Sequence, residues 1–406
     1  MTPASTAAFD AATIERMAEL TVSFAANVQR GQIVAISAEL GKEAMVRALA
    51  GAAYRHGAKF VDVAYMDMYV KRERILNADE ATLDFVPSWY GERILELGRQ
   101  RCARIGLAGP ATPGLLDDLD PARAGRDLLP ALKESGIVVN EATTNWTIVP
   151  FPTPAWAQQV HPDLSEDEAL HRLGEQILHV CRLDEEDPVA AWRERMSVLV
   201  GAAERMTARR FSALRFEGEG TDLTVGLLPT SKFMAAEFQT VDGIRHMPNL
   251  PSEEIFSAPD PERTEGVVRS TKPLVVAGSI IRGLEVEFRA GRAVRIDADE
   301  NAEVLRGYAA RDDGASRLGE VALVDAEGRI GRLGTTFFDT LLDENAASHI
   351  ALGQSYSFTA DKQDHPRMNR SAIHVDFMIG GDDVAVSGVT ESGDEVPVLR
   401  GGAWQI

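Results

Sequence analysis

The sequence predicts an α/β N-terminal domain built on a parallel sheet, followed by an α+β C-terminal domain rich in antiparallel strands. Three observations carry that expectation. Strand and helix signals alternate through the first 150 residues, a proline-dense stretch then interrupts them, and beyond about residue 210 short alternating runs recur between glycine-containing turns.

Taken in order, residues 9–29 carry apolar side chains at helical spacing and end at Arg30-Gly31, so they read as an amphipathic helix. The run Gln32-Ile33-Val34-Ala35-Ile36-Ser37 reads as a buried strand. An alanine-rich helix over 41–56 stops at His56-Gly57, and Lys59 to Tyr65 form a second strand. Strand, helix and strand in such a short span make a βαβ unit, hence a parallel sheet covered by helices. Residues 91–102 read as helix, and 103–109 and 137–140 as further strands. The segment 149–156, Val-Pro-Phe-Pro-Thr-Pro-Ala-Trp, is too rich in proline for a regular element. Residues 164–208 are acidic and helix-prone. The runs Ser212–Phe216, Leu223–Leu227, Leu284–Phe288 and Ala293–Ile296 follow, which sets a domain boundary near 205 and gives domains 1–205 and 206–406.

Charge and composition exclude several functions. The chain has 406 residues, 62 acidic against 42 basic, and a formal net charge of −20. A nucleic-acid or anionic-membrane partner requires clustered Lys and Arg, which this balance does not supply. No apolar run approaches the roughly 18 residues needed to span a bilayer. Cys102 and Cys181 are the only cysteines, too few for a disulfide framework or a paired-cysteine metal site. The first thirty residues lack the basic start and apolar core of a signal peptide, so a soluble, cytoplasmic protein is expected. A P-loop, a nucleophile elbow and a zincin helix motif are all missing; Gly353-Gln354-Ser355-Tyr356-Ser357 fails as an elbow at its last position. Gly218-Glu219-Gly220 reads as a hairpin turn.

The sharpest local feature is the run from Ser371 to Gly380, whose β-branched residues and Gly-Gly-Asp-Asp terminator argue for a strand. Alternate residues share a face on a strand, so His374 and Asp376 point together. That pair suits one divalent metal through nitrogen and oxygen, or simply a His–Asp hydrogen bond at a strand surface. The stretch Leu341 to Gly353 looks like a helix closed by Gly353. Glu344 and His349 would then lie about 140° apart and could not share a metal unless the helix ended between them. Ser252 caps a short helix that Glu253 and Glu254 begin. Glu320 sits at the mouth of the apolar strand Leu318–Val324, where a carboxylate needs a partner or a metal.

These residues carry a family resemblance that spans most of the chain. Its motifs are Trp146 to Ala157, the Met-Pro to Ser-Glu-Glu-Ile-Phe segment over 247–256, the Leu-Gly-Glu-Val-Ala-Leu-Val strand at 318–324, Asp343–Gly353 with Tyr356, and Met368–Gly380. The sequence resembles the M29 metallo-aminopeptidases of the aminopeptidase T or thermophilic-aminopeptidase type. The resemblance implies a dinuclear hydrolase that removes N-terminal residues from peptides with a free N-terminus, through a metal-activated water. Carried over by position, Glu254, Glu320, Glu344, His349, His374 and Asp376 are the metal-site residues, with Glu253 the competing register for Glu254. Tyr356 corresponds to the catalytic tyrosine, and Glu320 or Glu344 to the group that moves the proton. Two divalent ions are implied as cofactors, from among Zn, Co, Mn or Mg. Homodimers are implied too, with the metals in the C-terminal domain.

One alternative uses fewer ligands. His349, His374 and Asp376 alone would form the two-His-one-carboxylate set of a mononuclear Fe(II) ring-cleaving dioxygenase, a type built on a similar scaffold. Glu254, Glu320 and Glu344 are superfluous to such a site and required by a dinuclear one. A non-enzymatic binding protein of the same fold is the third reading.

Overall fold

Four parallel strands organise the N-terminal half: β1 (Ile33–Glu39), β2 (Phe60–Met66), β3 (Ala103–Ala108) and β4 (Asn145–Pro150), in the order β2-β1-β3-β4. They belong to a computed structural model that describes residues 8–127, 129–130, 133–235, 237–276 and 278–406. The two inner strands are mostly apolar, as strands covered on both faces tend to be. Val34, Ile36, Ala103 and Ile105 are buried, while Ala35 packs against Leu97 and Cys102. The edge strand β2 leaves Phe60, Val63 and Tyr65 exposed.

Two sequence expectations fail here. Residues 137–140 lie in the helix Lys133–Asn140, not in a strand. The β-branched run Ile137-Val138-Val139 misled the local reading; in the fold Val138 is buried against helix Ser88–Arg99, with Cγ2 3.0 Å from where a Cβ on Gly98 would stand. Nor is 149–156 irregular throughout. Val149 and Pro150 end β4, and Pro154 opens the helix Pro154–Val160 behind its Thr153 cap. Proline is tolerated in a first helical turn because its missing N–H would have no partner there. The helix-prone region becomes Glu166–Val180, started by a Ser165–Glu168 capping box, and Pro188–Arg209.

Contacts divide the chain into two compact units, Met1–Glu194 with Glu237–Ser252, and Arg195–Ala236 with Glu253–Ile406. The division differs from a single cut at 205. It falls inside the helix Pro188–Arg209, and the segment Glu237–Ser252 returns to the first unit.

The second unit holds an eight-stranded antiparallel sheet. From edge to edge it runs Arg292–Asp297, Glu285–Arg289, Pro259–Arg269, Thr221–Leu227, Ala213–Gly218, Ala385–Val389, Glu395–Arg400 and Ala403–Trp404. Gly218-Glu219-Gly220 does form its hairpin turn, with Gly220 at φ +70°. A second, four-stranded sheet consists of β5 (Glu254–Ser257), β6 (Leu318–Val324), β7 (His349–Gly353) and β8 (His374–Met378), antiparallel throughout in the order β8-β7-β6-β5. Among the described residues no helix is long and apolar enough to cross a membrane.

Candidate metal centre

The four-stranded sheet carries the candidate site on one face. Its register sets Glu320 opposite Ala351 and Ala351 opposite Asp376, so these three form a row across β6, β7 and β8. Two residues on, the row is Phe256, Ala322, His349 and Met378, and Glu254 lies opposite Val324. Opposed residues of an antiparallel sheet share a face, and so do alternate residues along each strand. Glu254, Glu320, His349, His374 and Asp376 therefore project to the same side.

Two expectations had to give way for this. Residues 341–353 are not one helix: a helix covers Thr340–Glu344, and His349–Gly353 is strand β7. The helix ends at Asn345, whose amide donates to Leu341 O at 2.9 Å and whose Oδ1 accepts the Glu253 N–H at 2.6 Å. Gly353 closes a strand, at φ +108°, with a Cβ there only 2.2 Å from Ile373 O. Ser252 likewise caps no helix, because Glu254–Ser257 is strand β5, paired with β6. In both cases sheet pairing overrode a local helix signal.

The side chains converge as two groups that share Glu320. One is Glu254, Glu320 and His349, the other Glu320, His374 and Asp376, each with its ligand atoms within 4.8 Å of one another. Glu320 turns one oxygen to each histidine, Oε1 at 3.7 Å from His349 Nε2 and Oε2 at 3.5 Å from His374 Nε2. Glu254 Oε2 lies 3.0 Å from His349 Nε2, and Asp376 Oδ1 lies 3.4 Å from His374 Nε2. Gly319 makes this aim possible. The β6–β7 register shifts between Leu318 and Glu320, and a Cβ on Gly319 would stand 2.2 Å from Gly353 O.

The histidines are oriented from behind. His349 Nδ1 faces Ala347 O at 3.2 Å and His374 Nδ1 faces Gln354 O at 2.8 Å. A carbonyl only accepts, so each Nδ1 carries a proton and each Nε2 is left to the carboxylates. Burial works against a charge on these imidazoles. The carboxylates outweigh it: Glu254 and Glu320 hold His349 well above its ordinary pKa, and Asp376 with Glu320 pushes His374 up to about 10. Burial raises the Glu320 carboxyl, and for Asp376 the neighbouring His374 overcomes burial and lowers it.

Such a cluster fits divalent cations. Glu254 Oε2 is buried and makes no hydrogen bond despite its short approach to His349. Imidazole nitrogens aimed at carboxylates inside a buried pocket are stabilised by a cation between them. Mixed nitrogen and oxygen donors suit Zn, Co, Mn or Mg.

Over residues 10–404 the sequence matches the family described as thermophilic metalloprotease (M29). The chain belongs to the M29 metallopeptidases. It is 41% identical over 402 residues to aminopeptidase T of Thermus thermophilus, spanning 97% of this chain and 98% of that protein. It is 35% identical over 402 residues to aminopeptidase 2 of Geobacillus stearothermophilus, spanning 96% and 97%. Among solved structures, wild-type AmpT from Thermus thermophilus superposes with a TM-score of 0.88 at 41% identity, covering 97% of this chain and 99% of that one. The chain is thus a hydrolytic enzyme with the fold of that structure. None of these comparisons supports a mononuclear iron dioxygenase.

Two further M29 site candidates stand beside the cluster, outside both ligand groups. Glu344 and Tyr356 keep some exposed surface, yet their polar ends are desolvated. Burial, then the Asp376 and Glu254 carboxylates, raise the Glu344 carboxyl well above its usual range. Burial, then the Glu320 and Asp376 carboxylates, raise the Tyr356 phenol well above its ordinary pKa. The Tyr356 ring stacks on Phe358 at 5.5 Å and lies 5.3 Å from His374. Sequence reading missed the supports of this face: Gly319, Asn345, and Asn369, whose amide donates to Gly314 O, Arg317 O and Gly353 O. The single signal available for Gly319 was its position immediately before a strand carboxylate.

Proposed function

We propose that the site holds two divalent cations, one among Glu254, Glu320 and His349 and one among Glu320, His374 and Asp376, and that the protein is an aminopeptidase. The observation that supports the dinuclear reading is the division of Glu320 between two histidines, which would let one carboxylate serve both ions. When bound, the ions lower the pKa of a water and polarise the scissile carbonyl.

The chain's own groups do the rest. The Tyr356 hydroxyl, kept protonated by its raised pKa, donates to the carbonyl oxygen as negative charge develops there. Glu344, beside the cluster and outside both ligand groups, is the carboxylate available to take the proton released by the attacking water and deliver it to the leaving amine. The relatives' names as aminopeptidases support a preference for peptides with an unblocked N-terminus. In this reading Glu254 is the ligand, and Glu253, turned to Arg195, is not.

Assembly as a homodimer and a cytoplasmic location belong to the same proposal. The exposed pair Val63 and Tyr65, on one face of the edge strand β2, supports the first, and two buried free thiols, Cys102 and Cys181, support the second. The test strips the protein with chelator, restores Zn²⁺, Co²⁺, Mn²⁺, Mg²⁺ or Fe²⁺ separately, and assays amino-acid anilides, free and N-acetylated peptides, and a dihydroxypyridine. Release of N-terminal residues from free peptides alone, with two ions per chain, is expected. Equal rates on acetylated peptides, or turnover only of dihydroxypyridine with Fe²⁺ and oxygen, would overturn the proposal.

A further inference from the structure

The sequence places two glutamates side by side, and only one of them can face the ligand side of β5. Val324 pairs with Glu254, so Glu253 and Asp325 flank the end of the β5–β6 ladder. Arg195 clamps that end. Its Nε donates to Glu253 Oε2, and its Nη1 and Nη2 donate to Asp325 Oδ2 and Oδ1 at 3.0 and 2.9 Å. Nη2 also reaches Glu253 O at 3.4 Å. Side-chain exposures are 7% for Arg195, 0% for Glu253 and 1% for Asp325.

Further donors pin the same corner. Trp404 Nε1 donates to Asp325 Oδ2 at 2.6 Å, and Asn345 Oδ1 accepts the Glu253 N–H at 2.6 Å. Asn345 adjoins Glu344, so the corner is tied to the helix that carries that residue.

A one-residue slip of β5 would exchange the faces of Glu253 and Glu254. It would also leave Arg195 and Asp325 buried around the wrong carboxylate. We propose that Arg195, through Glu253 and Asp325, is a positioning residue that sets the register of β5 and delivers Glu254 to the ion shared with His349. The inference rests on the dinuclear reading above. It assigns Arg195 to one ion only, because His374 and Asp376 lie on β8, at the opposite edge of the sheet.

The experiment is calorimetric titration of the chelator-stripped full chain with Co²⁺, together with the Co²⁺ absorption spectrum, which reports ligand geometry. Wild type should bind two ions, and Glu254→Gln should weaken one of them. Arg195→Met should weaken that same ion by about 10–100-fold, the range typical of outer partners of metal ligands, and leave the other unchanged. Arg195→Lys should restore part of the affinity. A merely structural role would lower the melting temperature without moving the affinity or spectrum of the folded protein, and that result overturns the proposal. Should Arg195→Met not fold, Trp404→Phe removes one donor to Asp325 and should weaken the same ion by a smaller factor; wild-type affinity there overturns it equally. If Glu254→Gln changes neither ion, the ligand assignment itself fails, which is distinct from a loss in Glu254→Gln with none in Arg195→Met.

Discussion

The two four-stranded sheets, β1–β4 and β5–β8, use the same device to opposite ends. In each, a buried alanine on an inner strand lies in register between two ionisable residues. Ala35 is flanked by Asp62 and Arg104, and Ala351 by Glu320 and Asp376. In the parallel sheet the flanking charges are opposite in sign, and Asp62 pairs with Arg93 at 2.5 Å. In the antiparallel sheet they are both acids, and His349 and His374 lie against them. Histidines differ in the same way. His246, in the first unit, packs against Trp146 and Phe238 at ring distances of 6.2 and 6.0 Å, and burial pushes its pKa down to about 4. His349 and His374 are pushed up by carboxylates. Burial alone neutralises a histidine; burial among acids makes it a cation or a metal ligand.

The largest effect should come from Glu320→Gln, which removes the carboxylate common to both groups. Metal content should fall from two ions per chain, and anilide turnover by more than about 10³-fold, the loss of several kcal/mol of transition-state stabilisation. Retention of two tightly held ions would contradict the bridging role.

Next, Ala351→Val places a branched side chain between Glu320 and Asp376, while Ala35→Val does the same between Asp62 and Arg104. Each should cost about 1–3 kcal/mol of stability through overpacking. Only Ala351→Val should also weaken metal binding, by roughly 10–100-fold. Parallel denaturation and metal titrations check the pair; equal metal affinities would erase the contrast between the sheets.

A smaller loss is expected from Gly319→Ala, whose Cβ would meet Gly353 O at 2.2 Å. The strain, of order 1–3 kcal/mol, should displace Glu320 and show as weaker metal binding at a lower melting temperature. Unaltered binding would mean that the bulge is dispensable.

The smallest effect on metal binding, none, is expected at His246, which answers to acid instead. Its folded pKa, about 4, lies below the ordinary 6.5, so between those values the unfolded chain binds a proton that the folded chain refuses. Stability should therefore be intact above pH 6.5 and fall as the pH drops toward 4, by up to about 3 kcal/mol over the window. His246→Phe should lose less stability than wild type between pH 7 and 4.5 in urea titrations. An equal loss would place the acid sensitivity elsewhere.

Much of this was legible in the chain. The βαβ unit over residues 32–65 and the hairpin at Gly218-Glu219-Gly220 needed only local patterning. So did the alternation that sets His374 beside Asp376 on one face. Residues 137–140 and 341–353 were misread for one shared reason. Their side chains favour one local structure, and contacts with helix Ser88–Arg99 and with the strands flanking β7 impose the other.

By itself, then, the sequence determined which side chains share a face of a given strand, because the period of two is a property of the extended backbone. The family motifs named the candidate site residues. Only the tertiary structure decided that four strands from residues 254 to 378 lie in register, that Glu254 and not Glu253 turns to His349, and that Glu320 divides between two histidines. Register between distant strands depends on a bulge at Gly319 and a buried arginine at 195. No local pattern encodes where those two will sit.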